Sequence, residues 1–157
     1  MNPLKLTRII EGAHNACINW VDVKRGEEVL IITDTSCDFT NAEAVATVCA
    51  QVGANVTTVI IPMQTLPNQE PPASVAAAML KADVIFAPLN YTISHTDSRF
   101  AANAAGARYL GMYASTTTDA LESEGARFPA EIIFKVTQKV AAQWCGSAPS
   151  EYRKNLE

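Results

Sequence analysis

Two hydrophobic periods alternate along this chain, and that alternation narrows its possible folds more than any other feature. Short aliphatic runs of strand length, at residues 28–33, 55–61, 83–87 and 107–113, are separated by segments whose apolar residues recur every three or four positions. Leu4, Leu6, Ile9, Ile10, Ala13, Ala16, Cys17 and Trp20 follow the helical period, which predicts one amphipathic helix over residues 3–20. Lys24, Arg25 and Gly26 then turn the chain into the first aliphatic run, which stops at Asp34. Thr40 or Asn41 is placed to cap the next helix, and Gly53 to end it, because glycine accepts the left-handed backbone common just past a helix terminus.

Further helices are expected from Ala73 to Lys81, from Asp97 to Ala105, in a short stretch after the capping cluster Ser115–Thr118, and from Pro129 to Trp144. Pro62 and Pro88 close the second and third strands by removing a ladder donor. Between Met63 and Pro72 lies a loop longer than the usual connection of about 4–6 residues, a length that often serves a site or an interface.

Buried strands alternating with helices make βαβ units and a sheet covered on both faces. The fold class is therefore α/β: a doubly wound three-layer sandwich whose mainly parallel sheet has about four or more strands. A chain of 157 residues suffices for one such domain. Residues 1–145 are assigned to it, and 146–157 read as a polar linker or tail.

In a doubly wound sheet, ligands sit beyond the carboxyl ends of the strands, where the winding reverses. Residues 33–35, the chain after Pro62, and the stretch from Pro88 through Asn90 to His95 converge there. No G-x-G-x-x-G and no P-loop follows the first strand, so the fold alone does not imply a nucleotide. Asp34 at its strand end, with Asp38 close by, can hold a ligand hydroxyl or a metal, or Asp34 and Thr35 can simply cap the local turn or helix. His95 stands between Ser94 and Thr96 at a loop-to-helix junction, where helix amides favour an anionic ligand. Histidine also exchanges a proton near neutral pH, and the alternative at such a position is a solvated capping residue. His14, within the first helical segment, reads as structural.

Only two histidines occur, far apart, without the spacing of a metal site, and no G-x-S-x-G marks a serine nucleophile. The four cysteines, Cys17, Cys37, Cys49 and Cys145, form no C-x-x-C pair, so buried reduced thiols are expected. Twelve basic against sixteen acidic residues give a net charge of −4, which lacks the footprint of a nucleic-acid binder. No stretch reaches the roughly 20 apolar residues that span a bilayer. The amino terminus has no signal-peptide core, so a cytoplasmic location without membrane association is expected.

The segments VDVKRGEEVLIITDT (21–35), NVTTVIIPM (55–63), QTLPNQEPP (64–72), MLKADVIFAPLNYTISHTDSR (79–99) and AANAAGARYLGMYASTTTDAL (101–121) together resemble one metalloenzyme family. They are similar, in order and spacing, to the amino-terminal domain shared by aminopeptidase T type leucyl aminopeptidases and 2,5-dihydroxypyridine 5,6-dioxygenases. The resemblance runs from about Asn15 to about Trp144. It implies that Fe(II) or another divalent metal is held by a carboxyl-terminal domain, with no metal ligand and no cofactor in this chain, which ends where that domain would begin. It further implies a homodimer in which Ser94, His95 and Thr96 reach toward the partner's active site. His95 would then be the catalytic group, a proton acceptor or positioning residue for a hydroxypyridine, with Ser94, Thr96, Asp34, Thr35 and Asn90 contacting substrate. The aminopeptidase branch implies a peptide substrate in place of the small aromatic. A third reading is a stand-alone module that binds a peptide or small molecule without catalysis.

Overall fold

In a computed structural model, residues 3–147 are described, and the chain divides into two compact units, Met1–Arg127 and Phe128–Glu157. The first unit is built on four parallel strands, β1 (Glu28–Asp34), β2 (Asn55–Ile61), β3 (Val84–Pro88) and β4 (Arg108–Met112), in the order β2-β1-β3-β4. β1 and β3 are central. Six of the seven residues of β1 and all five of β3 are buried, as strands covered on both faces require.

Side chains alternate across the sheet, and each face has its own core. On one face Val29 and Ile31 of β1, Val84 and Phe86 of β3 and Met112 of β4 pack against α1 (Pro3–His14), α2 (Thr40–Val52) and α5 (Asp119–Glu122). On the other, Leu30, Ile32, Ile85 and Ala87 meet Val75 and Met79 of α3 (Ala73–Met79) and Ala102 of α4 (Asp97–Ala104). The expected three-layer α/β architecture is thus present. A further turn of helix, α6 (Glu124–Arg127), completes the first unit.

Two local expectations are corrected. The helix expected over 3–20 is α-helical only to His14, and residues Asn15–Trp20 form a π-helical segment. Apolar periodicity is blind to this change, since a widened turn keeps Ala16 and Cys17 buried. Neither Thr40 nor Asn41 caps α2. Asp38 does the work, its Oδ1 accepting the Thr40 amide at 3.0 Å, while Asn41 is fully buried and donates Nδ2 to the carbonyls of Ser115 and Thr117 at 3.4 and 2.8 Å. Asn41 thereby ties α2 to the loop after β4. From the capping cluster expected before α5, Thr117 supplies the cap, its Oγ1 accepting the Asp119 amide at 3.3 Å, while the Thr118 side chain makes none. Gly53 does end α2, with φ of 91°.

Gly12 shows how closely α1 seats on α5. A Cβ placed there would lie 2.1 Å from the Leu121 carbonyl oxygen. Alanine gains about 1 kcal/mol of helix propensity over glycine, but overlap with fixed backbone costs about 1–3 kcal/mol or more. Gly12→Ala is therefore expected to lower the melting temperature, and an unchanged or higher one would disprove the close contact.

The second unit is described from Phe128 and contains α7 (Ala130–Ser147), whose apolar residues include Ile132, Ile133, Val136 and Val140. The helix reaches two residues into the stretch read as a tail, and residues 148–157 lie outside the described residues. Among the described residues no helix is long and apolar enough to cross a membrane. Cys17 and Cys49 are buried and Cys37 half-buried, all three as free thiols, whereas the Cys145 side chain lies outside those described.

Candidate functional site

The order β2-β1-β3-β4 places the reversal of winding between β1 and β3, so their carboxyl ends define the crevice. Asp34 ends β1 there with no exposed surface. Its Oδ1 accepts the Ser36 amide and hydroxyl at 2.8 and 2.6 Å, and its Oδ2 accepts the Asn90 amide at 2.9 Å. Burial pushes the carboxyl up, but donation by the Ser36 hydroxyl and by the Asn90 and Ser36 amides outweighs it and holds the group below its ordinary range. The carboxylate is thus engaged with the chain's own donors, as a pin across the switch point.

Neighbouring loops are knitted into one floor. Thr35, exposed, donates its amide to the Ile61 carbonyl at 3.1 Å and accepts the Met63 amide on Oγ1 at 3.3 Å. Asn90 is half-buried and bonded through its backbone to Asp34 and to the Ala114 amide. Thr96 is buried and caps α4, its hydroxyl donating to the Ile93 carbonyl at 2.8 Å and accepting the Arg99 amide at 3.3 Å.

His95 is exposed, and its backbone amide donates to Asn68 Oδ1 at 3.0 Å. Its neighbour Ser94 touches the Tyr113 hydroxyl with its own, while Arg99 Nε donates to the Ser94 carbonyl at 2.5 Å. Gly111 makes this possible, because a Cβ there would overlap the Tyr113 ring. Nearby, burial pushes the Tyr109 hydroxyl up to about 12 against the opposing Ser94 contact.

The expected attraction of the α4 amino terminus for an external anion is corrected. Glu70, from the long loop, already accepts the Asp97 amide at 2.5 Å and the Ser98 amide and hydroxyl at 3.3 and 2.5 Å. Donation by Ser98 outweighs the small effect of burial and holds the Glu70 carboxyl below its ordinary range. Asn68 adds a second grip, with its amide on the Thr92 carbonyl at 2.6 Å and its backbone in the left-handed region at φ of 61°. The loop from Met63 to Pro72 therefore holds the His95 segment from both sides. Asn68 and Glu70 had no sequence motif to mark them, because their partners lie more than twenty positions away.

Among the described residues, no three His, Cys, Asp or Glu side chains gather to hold a metal ion. With Asp34 engaged, this crevice does not fit Fe(II) as a resident group.

Neither a family model nor a curated protein matches the chain. Similar solved structures include 2,5-dihydroxypyridine dioxygenase from Pseudomonas putida KT2440, at 14% identity and a TM-score of 0.57, over 69% of this chain and 35% of that one. An alcohol dehydrogenase superfamily protein from Novosphingobium aromaticivorans is similar at 16% identity and a TM-score of 0.45, over 86% of this chain and 49% of that one. At such identities the likeness to the dioxygenase shows a shared fold, and this chain spans about a third of that enzyme's length.

Proposed function

We propose that this chain is the substrate-contacting α/β part of a metal-dependent enzyme that opens a small hydroxylated aromatic, as a 2,5-dihydroxypyridine dioxygenase does. The observation that carries this reading is the exposed His95 imidazole, presented by a segment that Asn68 and Glu70 grip on either side at the carboxyl end of the sheet. An imidazole so placed accepts the proton of a ring hydroxyl, and in this reading Ser94 and Asn90 contact the same substrate. Asp34, Thr35 and Thr96 serve the same site by holding its floor.

The metal, Fe(II) or another divalent ion, belongs in this reading to residues beyond those described, and the crevice is completed by a homodimeric partner. The metal supplies the oxygen chemistry, and this chain binds, orients and deprotonates.

Titration of the isotope-labelled chain with 2,5-dihydroxypyridine tests the reading. The ring resonances of His95 are expected to shift and saturate, with no ring opening in the absence of the metal-bearing part. No movement of those resonances up to about 10 mM ligand, weaker than the millimolar affinity of even a poor site, would sink it.

A further inference from the structure

Cys17 and Cys49 meet deep in the first unit, Sγ to Sγ at 3.6 Å, and neither has exposed surface. Cys17 lies in the π-helical segment and Cys49 in the last turn of α2. The two thiols are within hydrogen-bonding distance of each other, and the Cys17 sulfur lies 4.0 Å from the Val45 carbonyl. Neither sulfur takes part in the crevice at the strand ends. A disulfide holds its sulfurs about 2.0 Å apart, so closure needs an approach of about 1.5 Å by side chains already in contact. The π-helical segment is the element suited to give, because its widened turns sit off the regular helical ladder.

We propose that Cys17 and Cys49 form a site of reversible oxidative modification, a dithiol that hydrogen peroxide converts into a disulfide clamping the π-helical segment to α2. Cys49 loses its proton and attacks one peroxide oxygen. The O–O bond breaks, the hydroxide takes up that proton as water, and Cys49 is left as a sulfenic acid. The Cys17 sulfur then attacks the Cys49 sulfur, the S–O bond breaks, and the departing hydroxide leaves with the Cys17 proton as a second water. Two thiols and one peroxide thus give one disulfide and two waters.

The environment favours this order. The Cys17 thiol stabilises a Cys49 thiolate and draws it below the ordinary thiol range, while Cys49 and burial keep Cys17 protonated. Cys37 is more accessible, but burial and the neighbouring Asp34 charge push its thiol up. Peroxide is little larger than water and enters by local opening of the segment.

The test treats a Cys37→Ser/Cys145→Ser variant with hydrogen peroxide, then unfolds, alkylates and maps it by mass. A Cys17–Cys49 cross-linked peptide, cleaved by dithiothreitol, is expected. The melting temperature should rise by about 5 °C or more, because the clamp closes a loop of roughly 30 residues. If the double variant folds poorly, the same link is read in the wild-type chain after cleavage at Glu43, which separates Cys37 from Cys49. Two thiols still open to alkylation, a link to another cysteine, or two separate sulfinic acids would overturn the proposal, and a disulfide without a rise in melting temperature would overturn the clamp.

Discussion

Replacing Asp34 with alanine should lower the melting temperature of this protein by about 10 °C, the counterpart of about 3 kcal/mol in a domain of this size. The carboxylate accepts three hydrogen bonds, from the Ser36 amide, the Ser36 hydroxyl and the Asn90 amide, and bonds to a charged acceptor contribute about 1.5–3 kcal/mol each before relaxation. Alanine leaves those donors unpaired at a position with no exposed surface. Asn90 begins the segment that leads to His95, so the loss also frees the site's floor. Asparagine would not rescue it, since its NH2 would face either the Ser36 or the Asn90 donor.

The effect depends on pH with a determined sign. The folded carboxyl lies below its ordinary value of 3.8, so its contribution is complete above that value and fades as the pH falls through the folded pKa. The gap between wild type and Asp34→Ala should be full at neutrality and close in acid. A gap that widened toward acid, or a change in melting temperature under about 2 °C at pH 7, would show that Asp34 is not the pin described.

The strands were legible in the sequence because burial on both faces writes an unbroken aliphatic run, as in Val29–Ile32 and Val84–Ala87, bounded by proline or a polar turn. Gly53 was legible because its backbone conformation excludes most other residues. The π-helical segment was not, since residues facing the core at 13, 16 and 17 suit a widened turn as well as a regular one. At the site, the convergence of Asp34, Thr35 and Asn90 followed from fold class and their places at strand ends, and His95 from its place after the third strand. What each side chain binds did not follow. Asp38 displaced Thr40 and Asn41 as the cap of α2, and Glu70 occupied the amides that a lone helix start would offer a ligand. Both outcomes depend on which polar group arrives first in space, which a one-dimensional pattern does not encode.

Replacing His95 with alanine should reduce turnover of a hydroxypyridine by about 10²–10⁴-fold when the metal-bearing part is supplied, the usual loss when a positioned general base is removed. The substitution isolates chemistry from structure unusually well. The His95 imidazole is exposed, with no hydrogen bond among the described residues, and the contact that holds the segment, from its amide to Asn68, belongs to the backbone and survives in alanine. Stability should therefore stay within about 0.5 kcal/mol of wild type, and metal content should not change. If His95 removes a ring proton, the loss falls on kcat. A KM effect alone would make His95 a binding contact. Turnover unchanged, or lost together with the metal, would exclude it as the base and return the role to another group at the crevice.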